Sequence, residues 1–206
     1  MKIVHINATD VGGGAAIACT RHCEAMLKAG LEATMVVSSK YSRKDYVKYP
    51  HWGLCGLFRV FYRLIHDKFI KLLNPVGNFS MMCFGMPFYK NPDVRNSDVI
   101  FIHWINGNAL SIKGVEKILR LGKPVFWYMH DMFPITGGCH HSLGCEGYKG
   151  NCKNCPLITN SRYNSVASEQ LRKKIKHWSK YDNLHFVTPS TWLGNCVRNS
   201  CIAVGH

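Results

Sequence analysis

The chain has 206 residues, 47% of them hydrophobic, enough to bury the core of one domain and to exclude a disordered or fibrous protein. Its formal net charge of +14 attracts polyanions, whether anionic lipid head groups, phosphorylated substrates or nucleic acid. No nucleic-acid partner is expected, because there is no RNP-type motif, Cys2His2 spacing or continuous basic helix, and the basic residues are spread along the chain.

The N-terminal run Met1-Lys2-Ile3-Val4-His5-Ile6 enters a strand directly, without the apolar stretch of a secretory signal. No segment approaches the roughly 20 uncharged apolar residues of a membrane span, so a cytoplasmic protein is expected, with any membrane contact peripheral. After the strand comes Gly12-Gly13-Gly14, then a helix over about 15–29 closed by Gly30, then a second strand over 34–38. This is a βαβ unit of a parallel sheet.

Residues 51–88 interrupt the pattern. Leu54, Leu57, Phe58, Phe61, Leu64, Ile65, Phe69 and Leu72 recur at helical spacing, interleaved with Arg59, Arg63, Lys68 and Lys71. Such a basic amphipathic segment either packs on the sheet or lies on an anionic membrane surface. Alternation resumes with strands over 99–103 and 125–129, a helix over about 112–121 between them, a strand over 183–188 and a helix over 191–199. The fold class that results is α/β, a Rossmann-like doubly wound parallel sheet with an inserted cysteine-rich loop over about 136–156.

Three groups of residues carry candidate chemistry. Gly12, Gly13 and Gly14 end the first strand, where bare backbone N–H groups and a helix N-terminus suit an anionic oxygen; a tight turn is the plainer reading. The triplet is not GxGxxG, and no acidic residue ends the second strand to hold a ribose, so a nicotinamide cofactor is not expected. His103 and His130 follow neighbouring buried strands at the carboxyl ends where open α/β sheets bind ligands, each trailed by polar or turn residues, Asn106 and Asp131 among them. A satisfied structural histidine is the alternative at each position.

Cys139, Cys145, Cys152 and Cys155 form C-x5-C-x6-C-x2-C amid several glycines. In a reducing compartment this grouping suits a closed tetrahedral zinc site, with His140 or His141 able to replace one cysteine. Free thiols, disulfides and an iron–sulfur cluster are the other readings. A four-thiolate site leaves no open position, so this metal would be structural.

Taken together, Met1 to Asn7, Gly12-Gly13-Gly14-Ala15-Ala16, His103-Trp104-Ile105-Asn106-Gly107, the run His130 to His140, Cys152-Lys153-Asn154-Cys155-Pro156 and Thr188-Pro189-Ser190-Thr191-Trp192-Leu193 resemble family 4 glycosyltransferases of bacterial polysaccharide clusters, of the colanic-acid type. The resemblance implies a GT-B fold of two Rossmann-like lobes, a retaining transfer from a nucleotide-sugar donor to an oligosaccharide or lipid-linked acceptor, and no cofactor in the catalytic cleft. Residues 1–206 match the acceptor-side lobe, and the donor-binding lobe has no counterpart among them. By this resemblance His130 is the catalytic position, facing the transferred sugar; Gly12, Gly13 and Gly14 lie near the donor diphosphate and acceptor. His103, with Asn106 and Asp131, lines the acceptor side. A catalytically silent module that binds a membrane or partner protein is the rival expectation.

Overall fold

Short runs of β-branched and aromatic residues build the sheet. The computed structural model describes residues 1–49, 55–107 and 109–203, so Leu54 and the side chains of Phe58 and Arg59 in the predicted stripe lie outside the described residues. Strands β1 (Lys2–Thr9), β2 (Glu32–Ser39) and β3 (Val47–Lys48) flank helix α1 (Gly14–Lys28). Helices α2 (Cys55–Leu73) and α3 (Pro92–Asn96) lead to β4 (Val99–Ile102), α4 (Ile112–Leu119) and β5 (Val125–Tyr128). Helix α5 (Ser165–Trp178), β6 (Leu184–Val187) and α6 (Thr191–Arg198) complete the order.

All strands pair in parallel, in the order β3-β2-β1-β4-β5-β6. The order reverses between β1 and β4, and that switch point opens a crevice at the carboxyl ends of the strands. The α/β Rossmann-like class read from the sequence is the one observed.

Alternating side chains divide the core. Val4, Ile6, Ile100, Ile102, Val125 and Trp127 face α4 and α5 in the larger cluster. Ala33, Met35 and Val37 meet Cys19 and Cys23 of α1 in the smaller one.

Three elements have no counterpart in the sequence reading: the two-residue β3, the short α3 and the whole of α5. The inward face of α5 is Ala167, Gln170, Leu171, Lys174 and Trp178, and its two polar members break the apolar stripe that marks a helix. Gln170 is satisfied by giving its amide hydrogens to the carbonyls of Ser80 and Gly137 and accepting from Met82 N–H at 2.7 Å. Lys174 Nζ donates to the carbonyls of Phe133 and Thr136.

The stripe on α2 divides in two. Leu73 is buried and Phe69 and Ile70 pack on the core, whereas Leu57, Val60, Phe61 and Leu64 are 50 to 68% exposed. Among the described side chains, packing on the core therefore accounts for the end of the helix. Among the described residues no helix is long and apolar enough to cross a membrane.

Candidate functional site

At the switch point a cleft of about 530 Å³ is lined by Asn7, Gly12, Gly13, Gly14, Trp104, His130, Asp131 and His140, among others. The glycine loop and His130, separated by more than a hundred residues, thus face one space. None of its described lining residues is Lys or Arg.

One wall is backbone. Gly12 and Gly13 both adopt φ of 79°, and Gly13, at ψ 160°, caps α1 without any side-chain hydrogen bond. A Cβ at Gly12, Gly13 or Gly14 would meet nothing within 4 Å, so glycine is required at Gly12 and Gly13 by conformation and not by crowding. The first-turn N–H groups of α1 remain available to an anion. Asp10, just upstream, fixes the loop by accepting from Tyr41 and Ser42 N–H at 2.8 Å each. Burial opposes ionisation of Asp10, but these bonds outweigh it and hold the carboxyl below its ordinary value.

The other wall is a side-chain network. Asp131 Oδ2 sits 2.7 Å from His140 Nδ1 and accepts from Trp104 Nε1 at 3.2 Å, while Oδ1 accepts from Phe133 N–H at 2.9 Å. On its far side His140 Nε2 meets Ser80 Oγ at 2.9 Å. Trp104 is fixed in turn by donating its N–H to Asn7 Oδ1 at 2.8 Å. Asp131 is thus an orienting group as well as a lining one. His140, weighed at first only as a stand-in metal ligand, belongs to the cleft.

Behind His130 lies a file of imidazoles. His103 Nδ1 is 3.3 Å from His130 Nε2, and His103 Nε2 is 3.1 Å from His5 Nδ1. His103 and His5 are buried, and His22 of α1 packs edge-on against His5. Burial drives His5 down to about 3 and His103 down to about 2, with neighbouring imidazoles adding to both effects, and also lowers His22 and His130. The file is neutral at pH 7 and each ring can donate through only one nitrogen, so one tautomer choice orders the next. His103 supports His130 from beneath and does not line the cleft. Asn106 is likewise buried, its amide 3.4 Å from the His140 ring.

Neither His5 nor His22 is among the candidate site residues of the sequence reading. Their signal was a histidine inside an otherwise apolar strand, with His22 three residues beyond Cys19 on α1. Among the described residues His5, Cys19 and His103 are the only group whose potential ligand atoms lie within 4.8 Å of one another.

Cys139, Cys145, Cys152 and Cys155 surround a separate cavity of about 20 Å³. None is in a disulfide, and burial raises the Cys139 and Cys155 thiols and pushes Cys152 up to about 12. Two of the glycines here serve close packing. A Cβ on Gly137 would lie 2.4 Å from the Ala167 carbonyl oxygen, and one on Gly138 would lie 2.4 Å from the Phe79 ring.

An α/β domain with a cleft at its strand switch point is a scaffold shared by many ligand-binding proteins and enzymes. No protein-family model matches the sequence. The chain is 28% identical to WcaC, a colanic acid biosynthesis glycosyl transferase of Escherichia coli (strain K12), over 78% of this chain and 40% of that protein. That similarity supports a glycosyltransferase family. The chain spans about two fifths of the length of this relative. Among solved structures, an ABC transporter periplasmic solute-binding protein from Actinobacillus succinogenes 130z with bound D-allose overlaps 91% of this chain and 58% of its own. At 10% identity and a TM-score of 0.28 that overlap carries no argument.

Proposed function

We propose that this chain forms the acceptor-side half of a retaining GT-B glycosyltransferase of polysaccharide assembly, with His130 at the reacting sugar. The observation that carries the reading is the convergence of the uncapped, glycine-flanked N-terminus of α1 and His130 on one cleft at the strand switch point. The α1 N-terminus suits a diphosphate oxygen, and a neutral His130 held by His103 suits a sugar hydroxyl. Departure of a nucleoside diphosphate also calls for cationic groups, and no described lining residue supplies a Lys or Arg. Those groups belong to a facing donor lobe, consistent with a chain that spans two fifths of its relative.

The acceptor in this reading is a lipid-linked oligosaccharide, reached from a membrane surface. Leu57, Val60, Phe61 and Leu64 form an outward apolar face on α2, with Arg63, Lys68 and Lys71 on the same helix for anionic head groups. Vesicle sedimentation checks this: Phe61→Asp with Leu64→Asp is expected to abolish binding to anionic liposomes. Equal binding by the wild type and this variant refutes the membrane role.

Transfer of a labelled sugar from nucleotide-sugar donors to lipid-linked acceptors, by the chain joined to the C-terminal portion of its relative, tests the activity. Turnover that His130→Ala lowers about 100-fold or more supports the reading. No turnover with any donor, or full activity in His130→Ala, removes it.

A further inference from the structure

We propose that Cys139, Cys145, Cys152 and Cys155 bind one zinc ion that fastens the loop against α5 and the histidine wall of the cleft. The proposal is independent of the enzymatic reading. Its first support is convergence: four thiols from about seventeen residues of chain line one cavity of about 20 Å³, and three of them are more than nine-tenths buried. A guest of that size is a single ion or water.

The second support is where the backbone N–H groups point. Gly147 N–H donates to Cys145 Sγ at 3.4 Å. The Ile158 N–H donates to the Cys155 carbonyl at 3.2 Å, closing the turn that carries that thiol. Neutral thiols are weak acceptors, whereas metal-bound thiolates carry the negative charge that such donors stabilise. The chain turns to make this arrangement, with Leu143, Cys152 and Asn154 at φ of 49°, 52° and 49°.

The third support is charge. Four thiolates and one Zn²⁺ make a dianion, which in a protein interior needs a cation nearby. Lys174 is fully buried, is in no ion pair among the described residues, and donates to the carbonyls of Phe133 and Thr136, three residues before Cys139. Lys153 lines the cavity itself.

No three of the sulfurs lie within 4.8 Å of one another. Tetrahedral zinc with Zn–S near 2.3 Å requires sulfurs about 3.8 Å apart, so binding contracts the cavity. It releases the four thiol protons to solvent, with no redox change. The consequence reaches the cleft because Cys139 precedes His140, whose N–H donates to the Asn78 carbonyl and whose ring holds Asp131.

The experiment is elemental analysis of the whole chain purified in reductant, with about one zinc per chain expected. Titration of that native protein with an organomercurial should release the zinc as the thiols are capped, a measurement that needs no variant. Cys152→Ser should hold less than a tenth of the wild-type zinc, and Cys19→Ser should keep it. Cobalt substitution should give the visible bands of a tetrahedral thiolate site. Folded protein free of metal with four titratable loop thiols would overturn the proposal. So would zinc that survives Cys152→Ser and leaves with Cys19→Ser, since it would then sit at His5, Cys19 and His103.

Discussion

The two walls of the cleft are held in opposite ways. The glycine wall is built from consecutive residues, 12–14, and its shape is a property of the backbone: φ of 79° at Gly12 and Gly13, with no side chain bracing either. The histidine wall gathers Ser80, Trp104, Asp131 and His140 from distant parts of the chain through their mutual hydrogen bonds, with His130 held beside them by His103. The first is set by local conformational preference and the second by a network in which each partner fixes the next. Substitution should therefore damage one wall locally and the other collectively.

The largest effect is expected at His130, which lines the cleft and is held by His103. His130→Ala removes a group that touches the reacting sugar in the proposed reading, lowering turnover about 100-fold or more, while its partly buried position at the cleft limits the loss of stability to about 1 kcal/mol. A parallel loss of folded protein would make His130 a structural residue and not a catalytic one.

Asp131→Ala comes next. It strips three bonds from a nearly buried carboxylate and leaves Trp104 Nε1, Phe133 N–H and the His140 ring to find new partners. Chemical denaturation should register a loss of about 2 to 4 kcal/mol. Asp131→Asn, which keeps the Oδ1 bond, should recover part of it. Equal losses in the two variants would show that charge, and not the bonding pattern, holds this wall.

The imidazole file predicts a pH dependence. Folded His5 and His103 titrate near 3 and 2, far below the value of about 6.5 for an unfolded chain. Between those limits the unfolded state binds more protons, so stability is complete above pH 6.5 and falls as pH drops through the window. Each of the two rings contributes a slope of up to about 1.4 kcal/mol per pH unit there. Unfolding free energies at pH 7, 6 and 5 check this, and a flat profile would mean that the file opens to solvent on protonation.

The same contrast decided what could be read from the sequence. Gly12 to Gly14 between a strand and a helix announce their wall by adjacency, and apolar runs at β-strand spacing gave the parallel sheet. His140 looked like a neighbour of metal ligands because nothing in the linear order of Ser80, Asp131 and His140 shows that they meet. His5 interrupts an otherwise apolar run, and α5 carries no continuous apolar stripe because Gln170 and Lys174 occupy buried positions. In each case a polar residue is buried with partners far along the chain, and periodicity measures only how hydrophobic a position is.

Gly13→Ala is the mildest of these changes and tests the comparison most directly. Space is available for the methyl group, since nothing lies within 4 Å of its site, so any penalty comes from backbone conformation alone. An L-residue at φ 79° and ψ 160°, a region essentially confined to glycine, costs about 1 to 3 kcal/mol, and the chain can escape that cost by re-folding the loop at the start of α1. A thermal shift of that size, or a smaller one together with a disproportionate fall in donor or acceptor binding, is expected, because relaxation of the loop turns the α1 N–H groups away from the cleft. If Gly13→Ala instead lost as much stability as Asp131→Ala, the glycine loop would be tied into the core like the opposite wall, and the distinction between a local and a collective wall would fail.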